Sequence, residues 1–134
     1  MVQLHEDDVT VVMSTSNASD YPPENVFDGD SNTFWLTTGL FPQVLVAELS
    51  QSPQAIKAVK LLSNGIRSLT IEGGEREDSF ELLASNDEMP PCGNGEQFIS
   101  QRIQLRSSNC RFFRFVIRSG YDHYAAVQSI EFES

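Results

Sequence analysis

Residues 111–118 read Arg-Phe-Phe-Arg-Phe-Val-Ile-Arg, and this run limits the fold more than any other. In an extended chain Phe113, Phe115 and Ile117 fall on one side, and Phe112, Arg114, Val116 and Arg118 on the other. A period of two predicts a strand with the first set on a core and the second set half wetted. Alternating or apolar runs recur at Val9–Ser14, Val44–Leu49, Ala55–Leu62, Ser68–Glu72, Ser79–Ser85, Phe98–Leu105 and Ala126–Glu133. Turn residues separate them, as at Ser50-Gln51-Ser52-Pro53, Ser63-Asn64-Gly65, Gly73-Gly74 and Ser107-Ser108-Asn109. Eight short strands at this spacing predict an all-β sandwich or barrel.

The 134 residues suit one domain, 1–134, because no linker, repeat or low-complexity tract divides them. The formal net charge is −10. A nucleic-acid binder carries a basic face. Here the one basic cluster, Arg102, Arg106, Arg111, Arg114 and Arg118, alternates with apolar residues and reads as the solvated face of a sheet. An acidic chain suits a cation or a basic protein partner, and equally plain solubility. Two cysteines make no disulfide framework. Cys110 enters a core strand and is expected to be a buried, inert thiol. Residues 1–8 lack the apolar stretch of a signal peptide, and no run approaches a membrane span, so a cytosolic, reduced protein is the simplest expectation. The Pro- and Gly-rich segment Asn86–Glu96 is the expected mobile loop.

The stretch from Ala18 to Trp35 carries the most chemistry. Pro23 suits the first position of one helical turn, where its missing N–H is not needed. Val26 and Phe27 are expected to anchor that turn, Asp28-Gly29-Asp30 to turn tightly with Gly29 free to take positive φ, and Trp35 to bury its ring. Oxygen atoms concentrate here: the Asn25 amide or carbonyl, the Asp28 carboxylate, Asp30 and Thr33. Hard cations take six to eight oxygens. Asp28-Gly29-Asp30-Ser31-Asn32 begins like an EF-hand loop, but the spacing fails and no Glu closes it. The same residues also suit a self-capping Asx-turn without metal. Composition leaves both readings open.

The run Pro22-Pro23-Glu24-Asn25-Val26-Phe27-Asp28-Gly29-Asp30-Ser31-Asn32-Thr33-Phe34-Trp35, followed by Thr37-Thr38-Gly39-Leu40-Phe41-Pro42-Gln43, resembles the intraflagellar transport protein 25 family. A second patch, Arg111–Arg118 with Ser119-Gly120-Tyr121-Asp122-His123-Tyr124-Ala125-Ala126-Val127, agrees. These are calcium-binding, galactose-binding-like subunits of the intraflagellar transport B complex. The resemblance implies an eight-stranded jelly-roll β-sandwich. It implies one structural calcium ion held by Asn25, Asp28 and Thr33, with backbone oxygens at Asp30 and near Ser129 of the last strand. It implies a heterodimer with a Rab-like small GTPase, intraflagellar transport protein 27, and work in the cytoplasm and in the cilium or flagellum. Residues 72–96 match less closely.

Catalysis is not expected. Asp122 beside His123 invites a triad, but no nucleophile elbow accompanies it, and no phosphate loop or zinc spacing occurs. The alternative is a carbohydrate-binding module, with Tyr21, Phe41, Tyr121 and Tyr124 as an aromatic surface on the apical loops.

Overall fold

The computed structural model describes residues 9–17, 19–28, 30, 32–38, 40–49, 54–76, 78–93, 95–106 and 109–133. Among the described residues eleven strands follow in order: β1 (Val9–Ser14), β2 (Trp35–Leu36), β3 (Gln43–Leu49), β4 (Gln54–Ala55), β5 (Ala58–Asn64), β6 (Ile66–Arg76), β7 (Ser79–Asn86), β8 (Ile99–Gln104), β9 (Asn109–Cys110), β10 (Phe112–Gly120) and β11 (Ala126–Glu133). One 3-10 turn, Pro23–Phe27, lies between β1 and β2. A five-stranded sheet runs β1-β3-β10-β6-β7, a four-stranded sheet runs β2-β11-β5-β8, and β4 pairs with β9. All pairings are antiparallel. The eight expected strands are present, with β2, β4 and β9 as short additions.

β10 behaves as its sequence dictates. Phe113, Phe115 and Ile117 are buried, whereas Phe112, Arg114 and Val116 are half-buried and Arg118 is exposed. Phe113 and Phe115 meet Phe132 of β11 at ring-centroid distances of 4.8 and 6.0 Å, so the two sheets close on an aromatic centre. Each fully buried ring contributes roughly 1.5–3 kcal/mol relative to exposure. On the outer face the arginines meet carboxylates: Arg114 with Glu72 at 2.8 Å, Arg111 with Glu48 at 3.0 Å and Arg118 with Asp87 at 2.5 Å. Arg102 pairs with Glu133 at 2.7 Å on the other sheet. The basic cluster is thus largely neutralised in place, as a solvated sheet face would be.

One expectation needs correction. The run Ala55–Leu62 is split: Ala55 ends β4, and Ala58 begins β5. Lys57 donates its N–H to Glu133 O at 2.7 Å and accepts at its carbonyl from Leu105 N at 2.8 Å, which directs the chain from one ladder into the next. The apolar alternation runs straight through this break, so periodicity could not reveal it. The segment Asn86–Glu96 is anchored at its middle: Met89 is 1% exposed, its N–H donates to Arg67 O, and its carbonyl accepts from the Tyr121 hydroxyl.

Candidate functional site

The Pro22–Trp35 loop is organised from its first residue. Pro22 is extended (φ −71°, ψ 158°) and Pro23 opens the 3-10 turn. Val26 and Phe27 bury their side chains, and Phe27 stacks near Phe132 at 6.1 Å. The turn therefore packs on β11, the last strand. β2 then pairs with the start of β11, Trp35 opposite Val127 and Leu36 opposite Ala126. Loop and last strand are neighbours at both ends of the loop.

Asp28 Oδ1 accepts the Asp30 N–H at 2.9 Å, and Asp30 Oδ1 accepts the Asn32 N–H at 2.8 Å, giving two successive Asx-turns. Thr33 Oγ1 lies 2.6 Å from Asp28 Oδ2 and 3.1 Å from the Asp30 carbonyl, so three oxygens from three residues converge. Asn25 donates one amide N–H to Phe34 O at 2.9 Å, closing the loop across nine residues. Ser129 sits on β11 just past a bulge at Val127/Ser129, opposite Leu62. It makes no direct hydrogen bond to the other four. Gly29 and Ser31 lie outside the described residues.

The donor set suits a hard cation in kind. It comprises two carboxylates, a hydroxyl, an amide and backbone carbonyls, with no nitrogen or sulfur ligand. Among the described residues no three His, Cys, Asp or Glu side chains cluster as a metal site. Neutral and backbone oxygens would therefore supply most of a calcium shell at Asn25, Asp28, Asp30, Thr33 and Ser129. Such an ion would supply positive charge between Asp28 and Asp30.

Behind the loop lies a buried polar knot that pattern reading missed. Ser16, 1% exposed, donates from Oγ to Gln43 Oε1 at 2.6 Å and accepts the Thr38 N–H at 2.9 Å. Gln43 donates from Nε2 to the Thr38 and Leu40 carbonyls, both at 2.8 Å. The segment between Thr37 and Gln43 is held from within, and Leu40 stands fully exposed at its tip. Thr37 makes a reciprocal clasp with Ala125: its Oγ1 accepts the Ala125 N–H at 2.9 Å, while its own N–H donates to the Ala125 carbonyl at 2.9 Å. Both quoted sequence patches thus meet at one end of the sandwich. Gln43 closes the first patch and Ser16 lies in neither; burial of a Ser and a Gln is not written in hydropathy.

At the same end, Tyr121 and Tyr124 are exposed and line a small cavity, whereas Tyr21 stacks on Phe34 at 4.8 Å and Phe41 is half-buried. Asp122 Oδ1 accepts the backbone N–H of His123 at 2.7 Å, which commits this oxygen to the loop's own backbone. Burial, then the nearby Glu96 carboxylate, push the Cys92 thiol above its ordinary range. Cys110 is buried as expected, and no disulfide involves either cysteine.

Comparison with known proteins decides the family. The chain is 35% identical over 125 residues to the intraflagellar transport protein 25 homolog of Mus musculus, covering 92% of this chain and 85% of that protein. The Homo sapiens homolog is 31% identical over 125 residues, with 92% and 84% covered. The chain belongs to the intraflagellar transport protein 25 family. A Chlamydomonas reinhardtii intraflagellar transport protein 25 is 31% identical over 122 residues, covering 90% of this chain and 62% of that longer relative. No family model matches the chain.

Solved structures agree on the fold of this family member. A CBM32 module from Clostridium perfringens, in complex with GalNAc-beta-1,3-galactose, superposes with a TM-score of 0.86 at 16% identity, covering 99% of this chain and 100% of that one. The family 32 CBM of Clostridium perfringens NanJ, in complex with galactose, gives 0.81 at 14% identity, with 98% of each chain covered. The galactose-binding-like jelly roll is therefore shared with sugar-binding modules. At these identities the likeness speaks of the fold alone.

Proposed function

We propose that this chain is a non-catalytic adaptor subunit of the intraflagellar transport B complex, working in the cytoplasm and in cilia or flagella. On this reading it forms a heterodimer with a Rab-like small GTPase and holds one structural calcium ion in the Asn25–Thr33 loop. The observation that carries the reading is kinship spanning 92% of the chain with proteins named for intraflagellar transport. Braced apical loops support it, because a loop fixed before binding loses little freedom on docking. The convergence of Asp28, Asp30 and Thr33 oxygens supports the calcium. No helix among the described residues is long and apolar enough to cross a membrane.

A second reading, a carbohydrate-binding module, draws on the exposed Tyr121 and Tyr124 beside the apical cavity. A pull-down from ciliated cells, with the bound proteins identified by mass spectrometry, separates the two. Recovery of transport-complex subunits with a small GTPase supports the adaptor. Recovery of glycoproteins alone, released by free galactose, overturns it.

A further inference from the structure

The apical cavity encloses about 240 Å³ between Asn64, Gly65, Pro91, Cys92, Tyr121, Asp122 and Tyr124. Part of its hydrogen-bonding capacity is already used within the protein. The Asn64 amide N–H donates to Gln97 O at 2.9 Å, and the Tyr121 hydroxyl donates to Met89 O. The Cys92 thiol points its weak donor at the Ser63 and Gln97 carbonyls, at 3.8 and 3.9 Å. One N–H of Asn64 and the donors of Tyr121 and Cys92 are thus spent on the protein itself. What remains among the described side chains is the second N–H and the oxygen of the Asn64 amide, the second carboxylate oxygen of Asp122 and the rotating hydroxyl of Tyr124.

A neutral sugar could use such a mixed set but brings no charge to pair with Asp122, the one charged side chain on the described lining. An ammonium or guanidinium group donates only. Tyr121 and Tyr124, 44% and 54% exposed, are aromatic rings able to make cation–π contact beside the Asp122 charge. The cation on the neighbouring strand, Arg67, is already held by Glu88 at 2.8 Å and does not fill the site. His123 is exposed on the same loop. A net charge of −10 raises the local concentration of a basic ligand.

We propose that this cavity is a receptor for a lysine or arginine side chain of a protein partner, with Tyr121 and Tyr124 flanking the side chain and Asp122 pairing with its charge. The assignment goes beyond the adaptor reading and does not depend on which protein supplies the side chain.

The test is amide chemical-shift mapping of the full chain. It is titrated separately with N-acetyl-arginine methylamide, N-acetyl-lysine methylamide, N-acetyl-glutamate methylamide and galactose. The expected result is saturable shifts at Gly65, Cys92 and Tyr121–Ala125 with the two basic probes alone. Added salt should weaken them, and Asp122→Asn should weaken them by about threefold to fivefold. Tyr124→Ala should lower the affinity while the remaining spectrum keeps its dispersion, since that side chain is mostly exposed. Shifts with galactose and not with the basic probes would assign the cavity to glycans and overturn the proposal. Absence of saturable shifts with every probe would overturn it equally, as would equal response to the acidic probe.

Discussion

The Trp35 indole N–H donates to the Ser16 carbonyl at 2.9 Å, and this bond joins the oxygen-rich loop to the polar knot behind it. The same Ser16 holds Thr38 and Gln43 through its hydroxyl. One residue between β1 and β2 therefore holds both segments that the two halves of the first sequence motif encode. The loop's floor is rigid because buried polar groups here are matched with partners, and an unmatched one costs free energy.

Ser16→Ala tests this. The substitution strips the Thr38 N–H of its acceptor and removes one of the two hydroxyls donating to Gln43 Oε1, the other being Thr15 Oγ1. The expected loss is about 1–3 kcal/mol in urea unfolding, seen as a lower midpoint with an unchanged slope. Ser14→Ala removes the acceptor of the Ser16 N–H but leaves the Ser16 carbonyl its bond from Trp35 and the Gln43 and Thr38 bonds untouched, so it should cost less.

Calcium is expected to raise the melting temperature of the wild-type chain. At one hundred times its dissociation constant the gain is about 2.7 kcal/mol. Asp28→Ala should abolish the calcium-dependent rise, since it removes a charged ligand. Ser129→Ala should keep most of it, because the contribution expected there is a backbone oxygen. Differential scanning fluorimetry in calcium against a chelator measures both. A wild-type curve indifferent to calcium would leave the Asx-turns of Asp28 and Asp30 as the loop's whole purpose.

Gly74 cannot carry a side chain. A Cβ there would lie 1.8 Å from the carbonyl oxygen of Ser79 on the paired strand, a backbone atom with little freedom to move. Gly74→Ala should therefore cost on the order of 3 kcal/mol or more, or prevent folding, as overpacking against backbone does. Gly73→Ala meets side-chain atoms, Cys110 Sγ and Leu83 Cδ1, each at 2.7 Å, and should cost less. Thermal unfolding of the two variants ranks them.

The cysteines should differ in reactivity. Cys92 is half-exposed, but burial and then Glu96 raise its pKa. A raised pKa means less thiolate at neutral pH, so alkylation by iodoacetamide should be slow there and accelerate as pH rises into and above the ordinary thiol range. Cys110 has no exposed surface and should label only on unfolding. Mass spectrometry of timed quenches separates the two sites.

Legibility followed period and motif. β10 could be read because period two and burial coincide on Phe113, Phe115 and Ile117. The Pro23 turn could be read because proline's missing N–H suits a helix start, and Trp35 because a large ring after a loop wants a core. The break at Ile56–Lys57 could not be read, since Ile56 stays buried through it and the alternation is undisturbed. Met89 was hidden by its Pro- and Gly-rich surroundings. Ser16 and Gln43 were hidden because their burial is set by partners far along the chain. At the candidate site, Asn25, Asp28, Asp30 and Thr33 are near in sequence and share one bonded loop; Ser129 lies on the strand on which the turn packs, far from them in sequence.

Co-expression of this chain with the candidate Rab-like GTPase, followed by size-exclusion chromatography, addresses the adaptor function itself. A single peak holding both chains in equal amounts is the predicted outcome. Separate elution of two folded proteins, at concentrations well above micromolar, would contradict it.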